Sequence, residues 1–164
     1  MALLLRVVTN PKWIAPAWME SGDVPADALT DLRADKNELS VWGIELDRSN
    51  LNMALAAVAS HRKRLDKLDY TLLDEAILSA IPVKCVPSEG VTPCPAANLT
   101  IHRDLVELTV QKVADLAHKM MPLNRIRVSE REVRALLRHA LQSGAIDRSR
   151  VEPKLLGELE STGH

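Results

Sequence analysis

The sequence predicts a helix-rich domain of mixed α/β or α+β class, with a small sheet of about three to four strands packed around one long central helix. Strand-like and helix-like segments alternate in the first half, and the C-terminal third has helical periodicity. The segment 98–121 carries apolar residues at helical spacing over more than half of the helix circumference, which is typical of a helix covered on two sides. That segment is therefore the predicted centre of the fold.

Length and composition predict one globular domain over 1–160, with a mixed core at 1–121 and a helical subregion at 122–160. A chain of 164 residues can bury a sizeable core, and 46% hydrophobic with 26% charged residues is typical of a folded chain. The core must be aliphatic, because there is no Phe, one Tyr and three Trp. Residues 161–164 are treated as a tail that a cloning remnant would explain.

Charge and cysteine usage exclude several classes of protein. A net charge of −1 argues against a protein that coats nucleic acid or membranes through bulk charge. Two cysteines without a C-x-x-C spacing do not form a disulfide framework, so a reducing, cytoplasmic compartment is expected. The N-terminal apolar run is short and interrupted by Arg6, unlike a signal peptide. No glycine-rich phosphate loop is present, and no cofactor is predicted.

The first half of the chain contains two predicted strands and two predicted helices. The apolar run 2–8 ends at an Asn-Pro pair and is typical of a buried strand. An irregular connection leads to a short helix from Pro25 through Arg33. The segment 38–46 is apolar on both alternating faces, which favours a central strand covered on both sides. An Ala-rich helix capped by Asp47 or Ser49 follows and extends to about Arg64.

The segment 65–81 is ambiguous, because a helix from about Thr71 and a strand at 68–73 both fit it, and the helix is favoured. A strand at 82–86 and a proline-rich loop at 88–97 then lead into the central helix, for which Asn98 is the N-cap and Pro122 the stop.

The C-terminal third contains a short strand at 125–128 and two helices. Ser129 and Glu132 have the spacing of a capping box, and Gly144 ends the helix that they begin. A last helix covers 154–160.

The predicted central helix turns His102 and Asn98 towards the interior, just after the proline-rich loop. One hypothesis makes His102 a general base or ligand contact at the mouth of a pocket, with Asn98 orienting it. The favoured alternative is a core histidine bonded to a loop carbonyl, since no paired carboxylate or nucleophile stands at a fixed spacing. Cys85, Cys94 and His118 do not form close ligand pairs with His102, so no metal site is predicted.

An arginine stripe lies on the helix after Ser129. Arg131, Arg134 and Arg138 share one face, and Arg125 and Arg127 precede them. A plain solvated face, a protein docking surface and a nucleic-acid surface are all compatible with this stripe. No aromatic residue is interleaved for stacking on bases, which makes nucleic acid the weakest of the three.

An acidic ridge and two loop tryptophans complete the candidate sites. Aspartates recur every fourth residue around the first short helix, and could meet the arginine stripe within the fold or between protomers. Trp13 and Trp18 lie in irregular chain, where they either plug the sheet edge or anchor a partner. The predicted partner-binding residues are Trp13, Trp18, Asp27, Asp31, Arg131, Arg134 and Arg138.

The leading hypothesis is a small binding or adaptor module that acts through protein–protein contacts, as a homodimer or as a subunit of a larger assembly. The first alternative is a nucleic-acid-binding protein that uses Arg125, Arg127, Arg131, Arg134 and Arg138. The second alternative is an enzyme or small-ligand binder with a pocket at His102 and Asn98.

Overall fold

The computed structural model describes residues 3–161, and a six-stranded sheet organises them. Every neighbouring pair is antiparallel, in the order β4-β5-β2-β1-β3-β6. The strands are β1 (Leu3–Val8), β2 (Leu39–Ile44), β3 (Leu68–Asp74), β4 (Lys84–Pro87), β5 (His102–Val106) and β6 (Arg125–Val128).

Helices and 3₁₀ helices cover both faces of this sheet. The α-helices are α1 (Leu51–Ser60), α2 (Glu75–Ser79), α3 (Pro95–Thr100), α4 (Val110–Met120), α5 (Glu130–Gln142) and α6 (Pro153–Glu160). The 3₁₀ helices are Asn10–Trp13, Ala26–Leu32 and Arg148–Arg150. Among residues 3–161, no helix is both long enough and apolar enough to cross a membrane.

Strand β1 lies in the middle of the sheet and contributes to two separate cores. Leu4 and Leu5 are both fully buried, although they point to opposite faces. Leu5 joins a first core with Trp42, Tyr70 and residues of α1, α3, α5 and α6. Leu4 joins a second core with Trp13 and residues of the first two 3₁₀ helices, α2 and α4. Both faces of β1 are therefore covered, which explains its nearly continuous apolar sequence.

The predicted central helix 98–121 is wrong, because the chain breaks it into α3, β5 and α4. Strand β5 pairs with β2 on one side and with β4 on the other, so its backbone groups are bonded across strands rather than along a helix. Glu107 then takes a positive φ of 57°, and the Thr109 side chain caps α4 by accepting from the Lys112 N–H. The sheet, and not a helix, is the element around which the chain packs.

The prediction of three to four strands is also wrong, and the two missing strands are β3 and β5. The favoured helix from Thr71 is instead the end of β3 followed by the short helix α2. In β3, Leu68 and Tyr70 point into the first core and Leu73 into the second. A strand with both faces apolar, followed directly by a helix, produces spacings that mimic one longer helix.

The other predicted elements are largely confirmed. Strands β1, β2, β4 and β6 lie within about two residues of their predicted bounds, as do α5 and α6. The capping box is present, with the Glu132 N–H donating to Ser129 Oγ and the Ser129 N–H to Glu132 Oε2. Residues 162–164 of the predicted tail, and Ala2 of the first predicted strand, lie outside the described residues.

The carboxylate of Asp31 joins the end of β1 to the two 3₁₀ helices that follow it. It accepts hydrogen bonds from the Thr9 N–H at 2.5 Å, from Thr9 Oγ1 at 3.0 Å and from the Trp13 indole N–H at 2.9 Å. Its backbone carbonyl accepts from the Arg6 guanidinium, which also donates to the Ser40 carbonyl on β2 at 2.7 Å. Asp31 is thus a structural residue of the second core.

We expect the substitution Asp31→Ala to lower the free energy of unfolding by about 1–3 kcal/mol, because it leaves the indole N–H of buried Trp13 without its acceptor. Urea unfolding followed by circular dichroism measures this loss. Asp27→Ala is the matched control, because Asp27 is exposed on the same 3₁₀ helix and should change stability by less than about 0.5 kcal/mol. Equal losses in the two variants would contradict the structural role of Asp31.

Candidate functional site

His102 is the first residue of β5 and packs inside the first core. Its ring lies edge-on to Trp42 with a centroid distance of 4.8 Å, and only 9% of the residue is exposed. Nδ1 lies 2.8 Å from Ser88 Oγ, and the His102 carbonyl also accepts from the Ser88 N–H. The imidazole therefore holds the start of the proline-rich loop against the sheet edge.

Asn98 lies on α3 and holds the middle of the same loop. Its Oδ1 accepts from the Thr92 N–H at 3.2 Å and from Thr92 Oγ1 at 2.6 Å, while Nδ2 donates to the Thr92 carbonyl at 2.7 Å. Gly90 packs so closely that a Cβ there would lie 2.6 Å from Asn98 Oδ1. The close approach of Gly90 and the three bonds to Thr92 explain why Asn98 is only 4% exposed.

The structure does not bring His102 and Asn98 together as a catalytic pair. Both side-chain groups of Asn98 bond to Thr92, and the ring of His102 bonds to Ser88, so neither orients the other. A cavity of about 350 Å³ lies beside Asn98, but His102 is not among the residues that line it. Among residues 3–161, no group of three or more His, Cys, Asp or Glu side chains is placed to hold a metal ion.

Two arginines of the predicted stripe are half-buried and contact the C-terminal end of α6. Arg134 Nη1 donates to the Glu158 carbonyl, and Arg138 Nε donates to the Leu159 carbonyl at 2.8 Å. Carbonyls at a helix C-terminus lack intrahelical partners, and a cation there also complements the helix dipole. Arg131 remains exposed on the same helix. The stripe is therefore largely a structural link between α5 and α6.

Arg125 and Arg127 face the opposite side of the sheet from this stripe. Ile126 and Val128 pack into the first core, beneath α5, so the alternate residues of β6 must point to the other face. Arg127 forms a bidentate ion pair with Asp69 on β3, at 2.8 and 3.0 Å. The five arginines of the nucleic-acid hypothesis are consequently divided between two faces and do not form one patch.

The two loop tryptophans have different environments. Trp13 is 1% exposed and fills the second core, as expected for a residue that plugs the sheet, whereas Trp18 is 81% exposed. The acidic ridge is divided in the same way, because Asp31 is held inside while Asp27 is exposed. Trp18 and Asp27, like Arg131, are thus members of the predicted partner-binding set that remain exposed.

An apolar groove of about 330 Å³ lies between the 3₁₀ helix Ala26–Leu32 and the beginning of α4. Leu29 and Val110 stand on its rim and are 41% and 89% exposed. Leu32 and Leu108, both buried, also line it. The groove belongs to the face of the sheet that Trp13 covers, and we call it the second-core groove.

A basic pocket of about 430 Å³ lies where the chain passes from α1 to β3. Its lining includes Arg62, Lys63, Arg64 and Lys67, together with Asp69 at the beginning of β3. The first basic residues of this turn fall within the helix predicted to extend to about Arg64, but α1 ends at Ser60. The dense run of cations in 61–67 is the signal that could have identified the pocket.

No known family model matches the chain, and no curated protein or solved structure is significantly similar to it.

We expect Asn98→Ala to lower the free energy of unfolding by about 1–3 kcal/mol, because it leaves the Thr92 N–H and hydroxyl without their buried acceptor. Hydrogen exchange should accelerate at the amides of Gly90 and Thr92 in particular. Asn52→Ala on the exposed side of α1 is the matched control, where alanine is the better helix former and no loss is expected. Unchanged exchange at both loop amides would show that Asn98 does not hold the loop.

We expect the Asp69–Arg127 pair to make stability depend on pH in the acid range. The hydrogen bonds from Arg127 hold the pKa of Asp69 below its ordinary value, against a smaller opposing effect of burial. Because the pKa is lower in the folded state, the stabilisation is complete above the unfolded value of about 3.9 and is lost as the pH falls through the folded value.

Unfolding free energies measured by urea titration between about pH 5 and pH 2 test this dependence. Both Asp69→Asn and Arg127→Gln should flatten the fall relative to the unsubstituted chain. If both variants keep the full acid dependence, other carboxylates are responsible for it.

Proposed function

We propose that this chain is a protein-binding module that associates with a second copy of itself, with Trp18 of each copy inserted into the second-core groove of the other. The observation that carries the proposal is the 81% exposure of Trp18. The chain has no Phe, one Tyr and three Trp, so it has few large aromatic side chains with which to fill its cores. A tryptophan that stays on the surface contributes nothing to those cores, which favours a role in binding. Tryptophan is among the residues that contribute most to binding at interface centres.

The second-core groove offers an apolar receptor of matching character. Its rim residues Leu29 and Val110 remain exposed in one copy, and a partner would remove them from water at about 25 cal/mol for each Å² of apolar surface. In a dimer with a two-fold axis, the Trp18 of each copy can enter the groove of the other copy. The same contact then forms twice, so the interface is reciprocal.

The charge of the chain is compatible with self-association. A net charge of −1 produces little repulsion between two copies, and chains close to neutrality associate more readily than strongly charged ones. The alternatives have less support. The arginines predicted to bind nucleic acid do not share one surface. Within residues 3–161 the His102 ring is bonded to the Ser88 hydroxyl and not to a second titratable group.

The proposal predicts a dimer that depends on Trp18. Sedimentation velocity and native mass spectrometry at about 10–100 μM should show dimer in the unsubstituted chain and monomer in Trp18→Ala, because truncation of a central tryptophan commonly costs 2 kcal/mol or more. Leu46→Ala is the matched control, since Leu46 is 62% exposed on the connection after β2 and should leave the dimer intact. Both variants should keep the thermal stability of the parent chain.

Tryptophan fluorescence provides an independent measurement, because Trp13 and Trp42 are already buried. Dilution through the dissociation range should shift emission to the red and increase acrylamide quenching, and this change should be absent in Trp18→Phe. A chain that stays monomeric with concentration-independent quenching would contradict self-association. A dimer that Trp18→Ala leaves unchanged would place the interface elsewhere.

A further inference from the structure

We propose that the basic pocket between α1 and β3 is a binding site for a small phosphate-bearing anion. The site is separate from Trp18 and the second-core groove and does not depend on the proposed self-association. The cationic side chains of the turn 61–67 line this pocket and would hold the anion.

Three cationic side chains at this turn form no hydrogen bond or ion pair within the described part of the chain, although the charge of Lys67 helps to lower the pKa of Asp69. Lys63, Arg64 and Lys67 are exposed, and their side chains form no hydrogen bond or ion pair with any residue of 3–161. The arginines of the predicted stripe and of β6 differ, because most of them are bonded to carbonyls or carboxylates of the same chain. The pocket thus gathers cationic donors that remain available to a ligand.

Arg62 provides a fixed cation at the same site. Its Nη1 donates to the Lys67 carbonyl at 2.7 Å, which holds the guanidinium across the turn and shapes the pocket wall. Partial burial lowers the pKa of Arg62, and the neighbouring charges of Asp66 and Asp69 raise it. A partly desolvated guanidinium interacts more strongly with an anion than one in bulk water does.

The two acidic residues at the pocket are both already engaged. Asp69 forms the bidentate ion pair with Arg127, which itself lies outside the pocket lining. Asp66 Oδ1 accepts the N–H of the next residue, Lys67, at 2.8 Å. The lining therefore holds four cations against two carboxylates, a net charge of +2 that attracts an anion.

The C-terminal end of α1 weakens the attraction of the pocket for an anion. Terminal carbonyls carry partial negative charge, equivalent to about half an elementary charge, and disfavour an anion nearby. The Ala59 carbonyl, however, already accepts from the Arg62 N–H at 3.2 Å. Half a charge, partly satisfied, is smaller than the net charge of +2 on the pocket lining, so the site remains attractive to anions.

Size and composition favour a small ligand over a nucleic acid. The cavity of about 430 Å³ is in the range of small-molecule sites. None of its lining residues is Trp, Tyr or Phe, so a base would find only the His61 ring on which to stack. A compact phosphate can instead use forked guanidinium donors and ammonium groups together.

Titration of the full chain with inorganic phosphate and with AMP, followed by calorimetry and by amide NMR shifts, tests the proposal. Both probes should produce saturable binding at low ionic strength, with shifts centred on residues 61–67. The tighter of the two identifies whether a free phosphate or a phosphate ester is the better ligand. The double variant Lys63→Gln/Arg64→Gln should weaken binding by about tenfold or more, which corresponds to the loss of one charge-assisted hydrogen bond.

The matched control is Arg131→Gln/Lys154→Gln, which removes the same two charges from exposed positions outside the pocket. It should change affinity by less than about twofold. The proposal is overturned if neither probe gives saturable shifts at 61–67, or if the control weakens binding as much as the pocket variant. Because all four substituted side chains are exposed, thermal melts should be unchanged in both variants, and the dimer tests of Trp18 are unaffected by either result.

Discussion

The rest of the structure depends on the pairing of β1 with two antiparallel neighbours while both of its faces are buried. Leu4 is opposite Gly43 on one side and Leu73 on the other, so one apolar strand fixes the registers of β2 and β3 together. A shift of one residue in β1 would exchange the side chains of the two cores and drive Arg6 into the aliphatic first core. Burial on both faces therefore specifies the register as well as the stability of the sheet.

Polar contacts on the second face of the sheet fix the positions of chain segments that apolar packing alone does not fix. The carboxylate of Asp31 gathers the end of β1 and the indole of Trp13, and the pair of Asp69 and Arg127 joins β3 to the edge strand β6. Apolar packing is not directional, whereas these bonds have defined geometry, and a nearly buried carboxylate is costly if left unpaired. They consequently hold irregular chain at one end of the sheet, leaving Trp18 on the surface and the basic turn beside β3.

Local signals in the sequence were reliable where short-range physics controls the structure. The capping box at Ser129, the apolar run of β1 and the two-faced pattern of β2 each correspond to an element in the predicted place. The error at β3 arises because helical spacing of Leu also occurs when a strand with two apolar faces is followed by a helix. Strand β5 differs, because its sequence HRDLV has only two apolar residues and lies between two segments that are helical, α3 and α4. For β5, only the pairing with β2 and β4 decides between a strand and a continuous helix, and those partners are distant in sequence.

The sequence by itself determined the aliphatic cores, the positions of four strands and the helical C-terminal end, because hydrophobic period, capping and turn residues act over a few positions. Only the tertiary structure decided whether each polar or aromatic candidate residue is buried, bonded or exposed. It buried Trp13 and exposed Trp18, and it turned Arg134 and Arg138 onto the end of α6. It also left Lys63, Arg64 and Lys67 exposed, with no side-chain hydrogen bond to another residue of 3–161. Whether a charge or an indole is available depends on what long-range folding places beside it, and the local pattern contains no information on those neighbours.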